Sequence, residues 1–344
     1  MSSEIIYIDE KSGIPLLGVD FIGIIDRGTN IVEIKPLTLC NLKCKYCFVD
    51  AGNYDTNFVV SSDYLKKKLE EVIKMKENYD IEVHIAPYGE SLLYPELLKL
   101  LKKLWEIKGV KRISMQSNGL LLNKEIIKRL GHLNLTRINV SLNTLNREKA
   151  SYLSAYESYD IGKLLKNIQI LLDSRIQVLL APVWFPGEND LDIEDIIRYV
   201  KEIRSDDYPE NKIQLGIQKY LIYKTGRKLK KIRPKSWKYF YYQLAKLEKK
   251  YKIKLKLGPN DFGIYKTKNS VALNLKKNDI INLKIISKGR WNRECIGKIN
   301  DNYGIKLLLN KPITFSPHLL SKEIKAKVIK ADNKNNILTA VFPF

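Results

Sequence analysis

The chain alternates between short apolar stretches and helical patterns over most of its first 250 residues. Six stretches have the composition of buried strands, at 31–34, 81–86, 112–116, 137–142, 177–184 and 213–218. Apolar residues recur with helical spacing between or after them, at 62–79, 95–107, 123–130, 164–172, 193–203 and 237–250. Such an order predicts an α/β fold with a parallel sheet and right-handed crossovers. A doubly wound sheet would produce the same order, but no Gly-x-Gly-x-x-Gly loop follows the first strand, so the best sign of a dinucleotide site is missing.

The last 75 residues have a pattern of short strands in place of alternating strands and helices. Five short strand patterns follow one another at 280–286, 294–299, 305–309, 324–330 and 337–341, with a polar turn at 333–336. Five strands of this length favour a small all-β barrel of the OB type. The turn-forming run Gly258-Pro259-Asn260 marks the break before it. The expected organisation is therefore an N-terminal extension over 1–30, a (β/α)-type domain over 31–260 and a small barrel over 270–344.

Neither a membrane span nor a secretory signal is expected from the sequence. The longest uncharged apolar stretches, such as 178–185, are far shorter than the roughly 20 residues that a spanning helix requires. The N-terminus carries Glu4, Asp9 and Glu10 where a secretory signal would have basic residues and an apolar run. We expect a cytoplasmic protein without a membrane partner.

Positive charge is concentrated in the C-terminal part. The 344-residue chain has a formal net charge of +22, yet residues 212–344 contain 32 Lys and Arg against 7 Asp and Glu, so the first 211 residues are slightly acidic. The densest block, 212–256, holds sixteen basic residues and one acidic residue, interleaved with Tyr and Trp. This asymmetry indicates a polyanionic partner, with nucleic acid the commonest. A Lys-rich, heat-adapted surface is the alternative, but a general Lys bias would also reach the first 211 residues.

Three of the four cysteines lie within eight residues, at Cys40, Cys44 and Cys47. An odd cluster of thiols in a reducing compartment is more typical of metal ligands than of disulfides. Structural zinc takes four ligands, and His84 would be the nearest histidine in the sequence, so a zinc knuckle closed by a distant histidine is one interpretation. Three thiolates on a cuboidal [4Fe-4S] cluster would leave one iron open for a substrate.

The C-x3-C-x2-C spacing, with Tyr46 before the last cysteine, resembles the signature of radical S-adenosylmethionine enzymes. The resemblance implies a partial (β/α)6 TIM-like barrel in which Cys40, Cys44 and Cys47 hold a [4Fe-4S] cluster and Tyr46 packs near the adenine of the cofactor. It further implies that S-adenosylmethionine binds the open iron and is cleaved by one electron to a 5′-deoxyadenosyl radical, which abstracts hydrogen from the substrate.

Other strand ends are similar to cofactor-binding elements of the same superfamily. Tyr88-Gly89-Glu90-Ser91 follows the second strand and resembles a G-G-E-P element, which implies that Gly89 and Glu90 hold the methionine amino group. Tyr88 and Ser91 depart from that element.

Two further strand ends are similar to elements that contact the ribose or the methionine carboxylate. Ser117-Asn118-Gly119 after the third strand resembles a T-N-G turn, and Ser141-Leu142-Asn143 after the fourth resembles S-L-D. The implied contacts are Ser117, Asn118, Ser141 and Asn143.

The remaining cysteines narrow the possible reactions, and the basic C-terminal part narrows the possible substrates. Only Cys295 lies outside the motif, whereas the superfamily members that insert sulfur or transfer methyl groups through a cysteine need further cysteines, so these reactions are not expected. The small barrel resembles the RNA-binding TRAM domain, and the whole chain resembles archaeal iron-sulfur oxidoreductases of this type. We expect modification of an RNA nucleoside, tRNA in particular, with electrons from a reductase or a ferredoxin-like donor. The alternatives are an activase for a protein partner, a small-molecule oxidoreductase, or a cluster that only tunes RNA binding.

Overall fold

The computed structural model describes residues 4–77, 79–206, 208–332 and 335–344. Numbered along the chain, the strands are β1 (Glu4–Ile8), β2 (Gly23–Asp26), β3 (Ile31–Lys35), β4 (Thr56–Val60), β5 (Ile81–Ile85), β6 (Val110–Ser117), β7 (Arg137–Val140), β8 (Gln177–Leu180), β9 (Val183–Trp184), β10 (Ile213–Leu215), β11 (Gln218–Lys219), β12 (Ile280–Lys288), β13 (Glu294–Lys298), β14 (Gly304–Leu309), β15 (Glu323–Asp332) and β16 (Ile337–Phe342). The helices are α1 (Ser62–Lys76), α2 (Leu97–Trp105), α3 (Lys124–His132), α4 (Arg147–Ser154), α5 (Ile161–Asp173), α6 (Asp190–Asp206) and α7 (Trp237–Tyr251). None of these helices is long and apolar enough to cross a bilayer.

The alternation predicted from the sequence is confirmed, with local differences. The expected strand over 177–184 is divided into β8 and β9 around Pro182, which has no N–H to donate to a ladder. The helix expected over 62–79 ends at Lys76 because Glu77 takes a left-handed conformation with φ 51°. Helix α4 and strands β1, β2 and β4 were not predicted. Part of the expected polar turn at 333–336 lies outside the described residues.

The chain forms two compact units and passes between them four times, once within β6. The first consists of Met1–Leu39, Asn53–Ile113 and Ile264–Phe344, and the second of Cys40–Gly52 and Ser114–Gly263. In the first unit, β3 pairs in parallel with β5 and antiparallel with β2, while β1 pairs in parallel with β4. In the second unit, the end of β6 pairs with β7, β7 with β8 and β8 with β10, all in parallel. Parallel strands collect their carboxyl ends at one edge, which is where α/β folds gather functional groups.

The C-terminal strands form a closed five-stranded barrel in the order β12-β13-β14-β16-β15. The β14–β16 pair is parallel and the other four pairs are antiparallel. The predicted OB-like barrel is therefore confirmed. Its core contains Ile285, Cys295, Leu307, Leu338 and Ala340, so Cys295 is a packing residue of the barrel.

A segment of the expected N-terminal extension bonds to this barrel within the first unit. The amide N–H of Gly304 donates to Leu17 O at 2.8 Å, and that of Leu338 donates to Gly18 O at 2.8 Å. Gly18 has φ 94°, and a Cβ added there would lie 2.0 Å from Gly304 O. Only glycine fits this close approach. The segment that contains Leu17 and Gly18 therefore packs directly against the barrel.

Candidate active site

The three clustered cysteines lie in the loop between β3 and β4, which we call the cluster loop (residues 40–52). Cys40, Cys44 and Cys47 are half-buried and none is in a disulfide. The N–H of Cys47 donates to Cys44 O at 3.1 Å, a turn that brings the last two cysteines of the motif onto one bend. The positions of Cys44 and Cys47 are therefore fixed relative to each other by the backbone of the loop.

Arg227 fastens the cluster loop from a distant part of the same unit. Its guanidinium donates to Cys44 O at 2.6 Å, to the Asp50 carboxylate at 2.6 Å and to Ala51 O at 2.8 Å. Its backbone N–H donates to Cys47 O at 2.8 Å. A planar fork with several donors suits this role, which a lysine could not reproduce. Sequence reasoning missed Arg227 because nothing local distinguishes it within a basic stretch far downstream of the motif.

Helix α4 holds the loop from another side. The N–H of Lys45 donates to Leu153 O at 2.9 Å, and the Lys45 ammonium lies 3.5 Å from the centre of the Tyr152 ring. This contact was also not foreseen, since α4 itself was not predicted.

The chemistry of the donor set fits an iron-sulfur cluster. Burial, reinforced by Cys47, raises the pKa of the Cys44 thiol to about 11, while the Tyr46 hydrogen bond and Arg227 oppose the rise. Cys44 is therefore protonated near neutral pH, and cluster binding must displace its proton. Among the described residues, no three His, Cys, Asp or Glu side chains are grouped to hold a metal ion, the three thiols included, so the fit rests on the thiol chemistry and on the position of the cysteines in one loop. The three thiols are placed along one loop, and a cuboidal cluster takes each thiolate on a different iron.

Tyr46 and Asn143, both expected near the cofactor, contact each other. The Asn143 amide donates to the Tyr46 hydroxyl, and its Oδ1 accepts from the Val183 N–H at 2.7 Å. The Tyr46 ring packs against Phe185 with 4.8 Å between centroids. The end of β7 and the start of β9 thus position the aromatic residue that precedes Cys47.

Ser117, Asn118 and Ser141 lie together at the ends of β6 and β7. The Ser141 N–H donates to Ser117 O at 3.0 Å, and the Ser117 hydroxyl accepts from the Gly119 N–H at 3.0 Å. The Asn118 amide donates to Asn41 Oδ1 at 2.8 Å, so this turn is tied to the residue that follows Cys40. Of the three, Asn118 contacts the cluster loop, and the contacts of all three with the cofactor stay predictions.

Gly89 and Glu90 belong to the first unit, and both lie against Leu39, the residue that immediately precedes Cys40. The Glu90 N–H donates to Leu39 O at 2.8 Å, and a Cβ on Gly89 would lie 2.1 Å from the same oxygen. The Glu90 side chain is buried, and its Oε1 accepts from the Leu92 N–H at 3.0 Å. The glycine is therefore needed for close approach, and the carboxylate is held in a fixed orientation. Its assignment to the methionine ammonium stays a prediction.

Tyr88, which replaces a glycine of the resembled element, has its own partners. Its ring lies 4.7 Å from the Lys35 ammonium and 5.8 Å from the Arg290 guanidinium. Two cations thus hold the Tyr88 ring. These contacts give a physical reason for a tyrosine at the position of the first glycine of the G-G-E-P element.

We expect replacement of Arg227 by Gln to loosen the cluster loop. The variant loses charge-assisted hydrogen bonds to Cys44, Asp50 and Ala51, each worth about 1.5–3 kcal/mol. After anaerobic reconstitution, iron and sulfide per chain should be lower than in the unmodified protein and should decay faster on dilution. Arg233→Gln, at an exposed position of the same basic stretch, is the matched control. Equal cluster retention in the two variants would contradict the anchoring role.

Comparison with known proteins agrees with these observations. The family model of the radical SAM superfamily matches residues 34–200. An uncharacterized protein of Methanocaldococcus jannaschii, MJ0103, is 33% identical over 355 residues, covering 97% of this chain and 80% of that protein. A GTP 3',8-cyclase of Aquifex aeolicus is 29% identical over 180 residues, which is 52% of this chain and 55% of the cyclase. The chain thus spans about half the length of that cyclase.

The fold comparison points the same way. The X-ray structure of the FeFe-hydrogenase maturase HydG from Carboxydothermus hydrogenoformans superposes with a TM-score of 0.52 at 12% identity, covering 63% of this chain and 50% of that chain. At this identity the likeness concerns the fold alone. The family match, which spans the three-thiol loop, shows that this protein is an enzyme of the radical S-adenosylmethionine superfamily, which binds a [4Fe-4S] cluster and S-adenosylmethionine.

Proposed function

We propose that this enzyme modifies a nucleoside of RNA, with tRNA as the substrate, by hydrogen abstraction. The observation that carries the proposal is the charge distribution, in which residues 212–344 hold 32 basic and 7 acidic residues. A partner with many phosphates is the simplest reason to concentrate basic residues in this way. Each phosphate that a Lys or Arg neutralises releases counterions, which favours binding. A cytoplasmic location, where tRNA is found, is part of the same proposal.

The OB-like barrel supports the proposal, because barrels of this architecture frequently bind oligonucleotides. We assign it to the TRAM type as part of the proposal. When bound, the cluster and S-adenosylmethionine supply the 5′-deoxyadenosyl radical, with an electron from a reductase or a ferredoxin-like donor. The chain's own residues then have three tasks: they hold the cluster through the three thiols, orient the cofactor, and position the RNA.

The test is mass spectrometry of nucleosides digested from total tRNA and rRNA of cells with and without the gene. We expect one modified nucleoside to disappear while its precursor accumulates. Purified enzyme, reconstituted without oxygen and given S-adenosylmethionine and a reductant, should restore that nucleoside on tRNA from the deletion strain. Unchanged profiles in both tRNA and rRNA would contradict the proposal and would favour a protein or a small molecule as the substrate.

A free nucleotide is the second candidate substrate. It is favoured by the likeness to GTP 3',8-cyclases, which covers about half of this chain. The two candidates separate in one assay, in which 5′-deoxyadenosine formation is measured with GTP or with precursor tRNA. Stimulation by GTP alone would support the second candidate, and stimulation by precursor tRNA alone would support the first.

A further inference from the structure

Helix α7 carries several exposed aromatic rings beside its buried residues. Phe240 and Leu244, four residues apart, are buried and fix the inward face. Trp237, at the start of the helix, packs edge-on against Phe240 at 5.9 Å and is still 52% exposed. Tyr241 is 48% exposed and stacks on Trp237 with 5.8 Å between ring centres. Tyr242 is exposed as well. Solvent-facing positions of a helix ordinarily carry polar side chains, so a contiguous exposed aromatic patch marks an interaction site.

Lysines lie directly beside these rings. The ammonium of Lys219 is 5.0 Å from the centre of the Trp237 ring, and that of Lys246 is 4.7 Å from the centre of the Tyr242 ring. The ammonium of Lys235 is 5.7 Å from the ring centre of Tyr239, a further tyrosine of α7. The surrounding stretch 212–256 contains one acidic residue, Glu248, whose carboxylate accepts from the backbone N–H groups of 255 and 256. The patch is therefore positive and aromatic together, which is the combination that binds a nucleic-acid strand through phosphates and base faces.

The patch is continuous with the cluster loop inside the second unit. Tyr239 stacks on Trp184 with 6.0 Å between ring centres. Phe185, the residue after Trp184, packs against Tyr46 of the cluster loop. Along a second route, the exposed Tyr223 ring lies 5.6 Å from that of Phe48, the residue after Cys47. A strand bound on α7 would therefore extend toward the loop that carries the thiols.

The loops of the barrel offer less of this chemistry. Trp291, the aromatic residue of the β12–β13 loop, packs edge-on against Tyr54, and the Arg290 guanidinium lies 4.4 Å from its ring centre. Both tryptophans have ring neighbours, but Trp291 is half-buried within the first unit, whereas Trp237 and Tyr241 present about half of their surface to solvent.

We propose that α7 and the preceding segment 218–236 form the docking surface for a single-stranded region of the substrate RNA, with Trp237 and Tyr241 stacking on bases and Lys219 and Lys235 contacting phosphates. This inference rests on the proposed function and goes beyond it, since it places substrate recognition on the second unit. Single-stranded RNA fits better than a duplex because only unpaired bases expose their faces to aromatic side chains.

The first test measures affinity for a labelled single-stranded RNA oligonucleotide and for tRNA by fluorescence anisotropy. The double variant Trp237→Ala/Tyr241→Ala should bind the single-stranded oligonucleotide at least tenfold more weakly, because stacking contributes strongly for each base. Trp237→Phe/Tyr241→Phe, which retains both rings, should restore most of the affinity. Tyr79→Ala is the matched control, since Tyr79 is 57% exposed and also lies beside a lysine, Lys108, at 5.3 Å.

The second test separates base stacking from phosphate binding by varying salt. Lys219→Gln/Lys235→Gln should flatten the dependence of affinity on salt by about one unit of slope for each phosphate that is no longer neutralised. The aromatic double variant should leave that slope unchanged. Lys102→Gln, at an exposed position of α2, is the charge control. Iron content and thermal unfolding of each variant establish that the fold is retained.

Failure of this inference and failure of the proposed function give different results. If the unmodified enzyme binds RNA and the aromatic double variant binds it equally well, the docking surface is wrong while an RNA substrate stands. If the unmodified enzyme does not bind RNA at low salt, the proposed function is wrong as well. Ultraviolet cross-linking to RNA followed by peptide mass spectrometry should label the peptide containing Trp237 and Tyr241, and labels confined to the barrel would overturn the inference.

Discussion

Replacing Cys44 by Ala is expected to abolish cluster assembly and the reductive cleavage of S-adenosylmethionine. Three thiolates are the smallest set that holds a cuboidal cluster with one iron open, and the half-buried Cys44 lies between the other two in the motif. Iron and sulfide should fall to background after reconstitution, and 5′-deoxyadenosine should be undetectable. RNA affinity should change little, because the proposed docking residues lie outside the cluster loop.

The matched control is Cys295→Ala. Cys295 is buried in the barrel core, and burial, with a smaller effect of Glu294, raises the pKa of its thiol to about 12. It stays protonated near neutral pH and is not expected to serve as a ligand. The control should retain its cluster at some cost in stability, since a buried sulfur atom is removed from the core. Persistent 5′-deoxyadenosine formation by Cys44→Ala would overturn the assignment of the three thiols.

Replacing Arg290 by Met is expected to lower the free energy of unfolding by about 3–5 kcal/mol, because it leaves the Glu294 carboxylate buried without its partner. The guanidinium donates to both carboxylate oxygens of Glu294, at 2.9 and 2.8 Å, and both side chains are 3% exposed or less. Although burial alone would lower it, Glu294 raises the pKa of Arg290, so the guanidinium stays charged. Urea denaturation of the protein without its cluster measures the change.

The double variant Arg290→Met/Glu294→Leu is the informative comparison. Removing both charges should recover most of the stability, since the desolvation penalty disappears together with the attraction. Arg290 also lies 4.4 Å from the Phe21 ring and 5.8 Å from that of Tyr88, next to Gly89 and Glu90. Both variants should therefore bind S-adenosylmethionine more weakly than the unmodified enzyme. If the single variant were as stable as the double variant, the buried pair would not have the energetic role assigned to it.

Sequence reasoning located the elements because their signals are local. Apolar stretches predicted the six strands of the α/β part, helical spacing predicted the helices that follow them, and short strand patterns predicted the five strands of the barrel. Errors arose where one residue changes the backbone locally, as at Pro182, which divides a predicted strand, and at Glu77, which ends α1 early. The missed β1 and β4 are stabilised by pairing with each other across some 50 residues, which leaves little trace in either segment.

The motifs and the chemistry of their side chains identified many residues of the candidate site, but not the residues that hold the cluster loop from distant parts of the chain. Tyr46 and Asn143 contact each other, and Asn118 binds Asn41 of the cluster loop, so several side chains chosen from separate strand ends lie together in the second unit. Their contacts with the cofactor stay predictions. Arg227 could not be found in this way, because its partners lie 176 to 183 positions away along the chain.

The sequence by itself determined the strand and helix order, the three-thiol motif and the concentration of charge, because each is a property of neighbouring residues. Only the tertiary structure decided that Leu17 and Gly18 bond to the barrel, that Arg227 fastens the cluster loop, and that the rings of α7 face solvent. These features join residues that are distant in the chain. Which distant residues meet depends on how whole elements pack, and no local pattern encodes that outcome.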